Sequence, residues 1–189
     1  TPWKIALQSF KAYLQLEKSL SKHSVEAYIR DVGKLLEFVL YKKIDLPPEA
    51  LSEKHLVDFV YHLDSLGLEA KSQARIISGI RAFYKFMLME DMIYEDPSSA
   101  MESPKLKRTL PDVLSYEEIR KIIDSIDMSL PHAHRNKAMI ETIYACGLRV
   151  SELITLQMTN VYADQGVLKV IGKNNKERLV PVGTKALKD

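Results

Sequence analysis

The sequence predicts a mainly α-helical protein in two parts: a four-helix N-terminal domain, then the start of an α+β domain that carries a β-hairpin. Three observations predict it. Apolar residues recur at helical spacing through the first half of the chain, a proline-containing basic stretch breaks that period, and two β-branched runs then flank an Asn-Asn turn.

The first helix runs from Pro2 to Leu16, with Ile5, Phe10, Tyr13 and Leu14 as its apolar positions. Ser24 to Leu40 repeats Val25, Tyr28, Ile29, Val32, Leu35, Leu36 and Val39, which predicts a second amphipathic helix capped by Ser24. The tract IDLPPEAL is a loop, because two consecutive prolines cannot sit inside a helix. Ser52 opens a third helix that runs through Leu63 and ends near Gly67, and a fourth runs from Ala70 to about Met92. DPSSAMESPKLKRTLP, with three prolines, reads as a linker. The expected division is residues 1–102, a linker over 103–113, and a second domain over 114–189.

In the second domain, Ser115 with Glu117 and Glu118 opens the helix YEEIRKIIDSI, and Arg135 to Cys146 forms another that Gly147 closes. A shorter helix starts at Ser151. VLKVIG, KNNK and ERLVPV then read as strand, turn and strand. A lone two-stranded hairpin is marginal, so the natural protein is expected to continue past GTKALKD.

Composition narrows the class. Apolar residues make up 46% of the chain, ordinary for a globular protein, and charges interrupt every apolar stretch before it reaches membrane-spanning length. TPWKIALQSFKAYL lacks the features of a secretory signal, and a single cysteine, Cys146, excludes an internal disulfide. The expectation is a cytoplasmic protein without membrane contact, with Cys146 a small core residue. Lys and Arg exceed Asp and Glu by 27 to 25, so global charge does not announce a nucleic-acid partner. Its distribution says more: Gly166 to Lys188 holds six basic residues against Glu177 alone, while Asp45 to Asp64 is net acidic. His23, His132 and His134 have no partners at metal-ligand spacing. Neither a metal nor a small-molecule cofactor is expected.

Three constellations and one helix start can carry chemistry. On a wheel of the fourth helix, Lys71, Arg75, Ser78, Ala82 and Lys85 share one face, opposite Ile76, Ile80, Phe83, Tyr84 and Met87. No acid interrupts that face, which offers donors to phosphates and base edges; a merely solvated face is the alternative. Lys22, His23 and Ser24 form a polar helix start suited to a phosphate, or only to capping.

The second constellation is YACGLRVSELITL, which holds Arg149 between two helices with Glu152 one turn on. A guanidinium that stays charged suits a phosphoryl transition state; a surface ion pair is the alternative. The third is IGKNNKERLVPV, which sets Lys173 at a hairpin tip, where Asn174 and Asn175 tolerate left-handed backbone. Lys173 is then either a general acid or an exposed basic tip.

GLRVSEL, followed about twenty residues later by VIGKNNKERLVPV, closely resembles the first two active-site motifs of the tyrosine recombinase (phage integrase) family, Xer branch. LEKSLSKHSVEAYIRDV and KSQARIISGIRAFYKF resemble its second and fourth helices, and DPSSAMESPKLKRTLPDVLSYEEI its domain linker. The resemblance implies a SAM-like core-binding domain that clamps duplex DNA, followed by the first part of the catalytic domain. It makes Arg149 the first catalytic arginine, Glu152 its acidic support, and Lys173 the lysine that protonates the leaving 5′-hydroxyl. The implied reaction is site-specific DNA recombination: a tyrosine attacks the scissile phosphate, forms a 3′-phosphotyrosyl link, and needs no metal or nucleotide. Four subunits on two DNA sites share the work, in chromosome-dimer resolution or in integration. The candidate DNA contacts are Lys22, Ser24, Lys71, Ser72, Arg75, Ser78, Lys85, Lys105, Lys107, Arg108, Lys176 and Arg178.

Two departures qualify the resemblance. Asn174 stands where the family's hairpin commonly has Gly, and no His or Tyr follows Lys173. The chain itself is therefore expected to bind DNA without cleaving it, its intact parent supplying the missing nucleophile. The alternative is a naturally short, non-catalytic DNA-binding regulator related to the recombinases.

Overall fold

Helix α1 spans Pro2–Leu16 and starts as its sequence dictates, with Pro at the first helical position, where no N–H is needed. The computed structural model describes residues 1–107, 110–172 and 175–183, in two compact units divided at 109/110. That division falls inside the stretch read as a linker. Among the described residues, α2 (Lys22–Tyr41), α3 (Glu53–Ser65) and α4 (Ala70–Met89) are the other α-helices of the first unit.

Its core forms where the apolar stripes meet. Phe10 of α1 packs on Phe83 and Phe86 of α4, with ring centroids 5.3 and 5.4 Å apart, while Phe38 of α2 meets Phe59 of α3 at 5.5 Å. Trp3, not Ile5, anchors the start of α1. Its indole Nε1 donates to the Leu46 carbonyl at 3.0 Å, whereas Ile5 is exposed. Tyr84 is fully buried and donates its hydroxyl to the Pro48 carbonyl at 3.1 Å. The chain does not leave this unit where α4 ends: Met101 is buried in the same core, and Arg81 donates to its carbonyl.

Helix α2 begins two residues earlier than its apolar period suggests. Ser21 is the cap, its Oγ accepting from the Ser24 N–H at 3.3 Å. Ser24 therefore receives the cap that the sequence assigned it to supply.

The second unit holds α5 (Tyr116–Asp124), α6 (Ala133–Cys146) and α7 (Val150–Ile154), then β1 (Val161–Tyr162), β2 (Val167–Ile171) and β3 (Glu177–Pro181). Gly147 ends α6 at φ 58°, the left-handed cap that glycine adopts without a Cβ penalty. The strands form one antiparallel sheet in the order β1-β2-β3. The hairpin is as expected; the two-residue β1 beside it is additional, too short to show a period. Leu168, Val170 and Val182 pack with Cys146 and Leu148 in a small core. Burial pushes the Cys146 thiol up from its ordinary range, which suits an inert core residue.

Candidate active site and nucleic-acid interface

The left-handed cap at Gly147 turns the chain directly into α7, so that Arg149 is the cap residue of that short helix. Glu152 sits in the first turn of α7 and folds back. Its Oε2 accepts the Arg149 backbone N–H at 2.8 Å and its Oε1 accepts Arg149 Nη1 at 2.8 Å. A second arginine reaches the same carboxylate from the sheet: Arg178 donates Nη1 to Oε1 at 2.8 Å and Nη2 to Oε2 at 2.9 Å. This is the two-pronged fit of guanidinium to carboxylate.

Burial and charge make the arrangement asymmetric. The Glu152 side chain is 3% exposed, that of Arg178 39%, and that of Arg149 68%. The paired bonds from Arg178, with the Arg149 N–H, hold the Glu152 carboxyl far below the usual carboxylate range despite its burial. Two guanidinium charges against one carboxylate leave a net positive site, whose most exposed member is Arg149. Such a site attracts an anion.

The register explains how an arginine comes to face inward. Arg178 pairs with Val170, which is 1% exposed, and paired residues share one face of a sheet. Arg178 thus lies in phase with Val180 and the buried Val182. The alternation in ERLVPV carries that signal. Gly172 completes the seat, since a Cβ there would lie 3.1 Å from Arg178 Nη1 and 3.3 Å from Glu152 Oε1. Lys173 and Asn174 lie outside the described residues. Beyond them, Asn175 has φ 60° and Lys176 is exposed, its carbonyl accepting the Gly172 N–H at 2.8 Å.

The candidate DNA contacts on the helical unit are mostly accessible. Lys22, Lys71, Ser78 and Lys85 are exposed, Ser24 and Ser72 half-buried. The exposed face of α4 includes Arg81 and not Ala82, which packs against the core. Ser78 donates its hydroxyl to the Ala74 carbonyl at 2.9 Å. Arg75 is paired: its Nη1 lies 2.6 Å from Oδ1 and 2.7 Å from Oδ2 of Asp31 on α2. Lys105 and Lys107 are exposed beyond the helical core, and Arg108 lies outside the described residues. Among the described residues no group of His, Cys, Asp and Glu is arranged to hold a metal ion, and no helix is long and apolar enough to cross a membrane.

Asp31 was missed in the sequence. The signal was there: it lies three residues after Tyr28 and four before Leu35, in phase with the buried stripe.

Comparison with known proteins places the chain in a family. Residues 7–91 match the phage integrase N-terminal SAM-like domain, and residues 112–188 match the phage integrase family. The chain is 40% identical over 189 residues to tyrosine recombinase XerD of Chlorobaculum tepidum, covering 98% of this chain and 62% of that protein. It is 37% identical to tyrosine recombinase XerD of Staphylococcus saprophyticus over 177 residues, covering 94% and 60% respectively. It therefore spans less than two thirds of the length of either. Among solved structures, a lambda integrase tetramer bound to a Holliday junction superposes with a TM-score of 0.75 at 17% identity, covering 98% of this chain and 53% of that one. The XerH recombinase bound to a palindromic difH substrate gives 0.69 at 20% identity, covering 92% and 54%. These two share the fold. With both units matched and the XerD relatives aligned along nearly its whole length, the chain belongs to the tyrosine recombinase (phage integrase) family, Xer type.

Proposed function

We propose that the chain contributes the DNA-clamping unit and the first catalytic side chains of a cytoplasmic site-specific recombinase, one that exchanges strands of duplex DNA through a 3′-phosphotyrosyl link. In this reading Arg149 binds the scissile phosphate, Glu152 positions it, and Lys173 protonates the leaving 5′-hydroxyl. The observation that carries it is the Arg149–Glu152 pair. One Nη1 and the backbone N–H are fastened to a buried carboxylate while most of the guanidinium stays exposed. An arginine already held in place needs little reorganisation when charge builds on a phosphoryl group. The basic face of α4 supplies sequence-independent attraction to the duplex backbone. Recombinase subunits on paired DNA sites are the proposed partners, with chromosome partition or integration the proposed setting.

Titration of a labelled duplex with the chain at increasing salt tests the DNA half. Affinity should fall steeply, with a logarithmic slope of about −0.9 per phosphate neutralised; a flat response removes it. Reading the gene past the codon for Asp189 tests the catalytic half. A His-x-x-Arg and a later Tyr in frame are the expected continuation, and an immediate stop codon would leave DNA binding alone.

A further inference from the structure

Asp31 is 2% exposed and lies where α2 crosses α4. The helices meet so closely there that a Cβ on Gly79 would stand 2.6 Å from its Oδ2 and 2.7 Å from its Cβ. The carboxylate fills the space a side chain on α4 would otherwise take. Its partner Arg75 lies one turn before Gly79, is about half exposed, and lends only Nη1 to the pair. Among the described residues, Arg75 Nε and Nη2 make no hydrogen bond. Burial raises the Asp31 pKa in spite of Arg75 and, more weakly, Arg30 and Lys34. A buried carboxylate with one guanidinium partner is a poor source of stability, and apolar residues of similar volume often do better. It also opposes DNA, because it sets a negative charge beneath a basic face.

We propose that Asp31 is a positioning residue for duplex recognition: it fixes Arg75 in one orientation on the α4 face, leaving Nε and Nη2 to meet a phosphate or a base edge. The inference rests on the DNA-binding reading above. A loose arginine loses rotamer freedom on contact, whereas one already fixed loses little.

The carboxylate's charge gives the test its sign. Electrostatics alone requires Asp31→Asn to tighten duplex binding; positioning requires it to weaken. In fluorescence anisotropy of a labelled duplex with the full 189-residue chain, Asp31→Asn should bind about fivefold more weakly, the scale set by ordering one side chain. Arg75→Ala should also weaken binding. In the Arg75→Ala background, Asp31→Asn should instead tighten it, since only the charge effect is left. Binding by the Asp31→Asn variant that equals or exceeds the parent's overturns the inference and leaves duplex binding standing; a parent that binds no duplex removes both. A measurement on the free parent needs no variant. The Arg75 Nε–Hε order parameter by NMR should be about 0.8, the rigid range, and a value under about 0.6 would also overturn the inference.

Discussion

The carboxylate of Glu152 lies in the fork of Arg178, with Oε1 2.8 Å from Nη1 and Oε2 2.9 Å from Nη2, although the two residues stand 26 positions apart. Arg149 Nη1 meets the same Oε1 at 2.8 Å. One buried negative charge thus holds two positive ones together.

Glu152→Gln should therefore leave two neighbouring guanidinium groups without a counter-charge and lower the melting temperature by roughly 5 °C at neutral pH. The pH dependence has a definite sign. The folded carboxyl is depressed below its unfolded value, so its contribution is complete above the ordinary carboxylate range and is lost as pH falls below it. Thermal melts stepped from neutral to acid pH should show this loss in the parent and not in the variant.

Gly79→Ala should be costly. Its Cβ would clash with Asp31 at 2.6 Å, and overpacking of this kind costs about 1–3 kcal/mol. Urea denaturation should show a lower midpoint with an unchanged slope.

Lys71→Ala and Lys85→Ala remove exposed cations from α4. Each should weaken duplex binding and reduce the salt slope by about one, as expected for a phosphate contact. The reduction should be alike on unrelated duplex sequences, which anisotropy titrations can compare directly.

Ser115→Ala should fray α5. The Ser115 Oγ accepts the Glu118 N–H at 3.2 Å, and the Glu118 carboxylate returns to the Ser115 N–H at 2.7 Å. Of the nine residues in α5 only Ile123 is buried, so packing offsets little of the loss. A cost of about 1 kcal/mol is expected, visible as reduced helical circular dichroism and an earlier urea midpoint.

Most of the fold was legible because its signals are local. Helical spacing located α1 to α4, the glycine at 147 and the serine at 115 marked helix ends, and alternation located β2 and β3. The Arg149–Glu152 pair was legible for the same reason, its members lying three positions apart. What escaped were relationships between distant segments. Asp31 is a charged residue on an apolar stripe, and its meaning depends on a glycine that α4 brings to it. Arg178 is one more cation in a basic region until the fold brings to it Glu152, which lies 26 positions earlier. Strand β1 has two residues and carries no period.

Glu152 also ties two segments into one cooperative element. Strand β3 cannot peel from β2 without releasing Arg178, and α7 cannot unwind without releasing the Arg149 N–H; either event strips an anchor from the same carboxylate. Backbone amides of α7 and of the β2–β3 ladder should accordingly lose protection from hydrogen exchange together. The posture of Arg149 is then only as durable as the sheet behind it, and a lesion as remote as Val182 would be felt at its guanidinium.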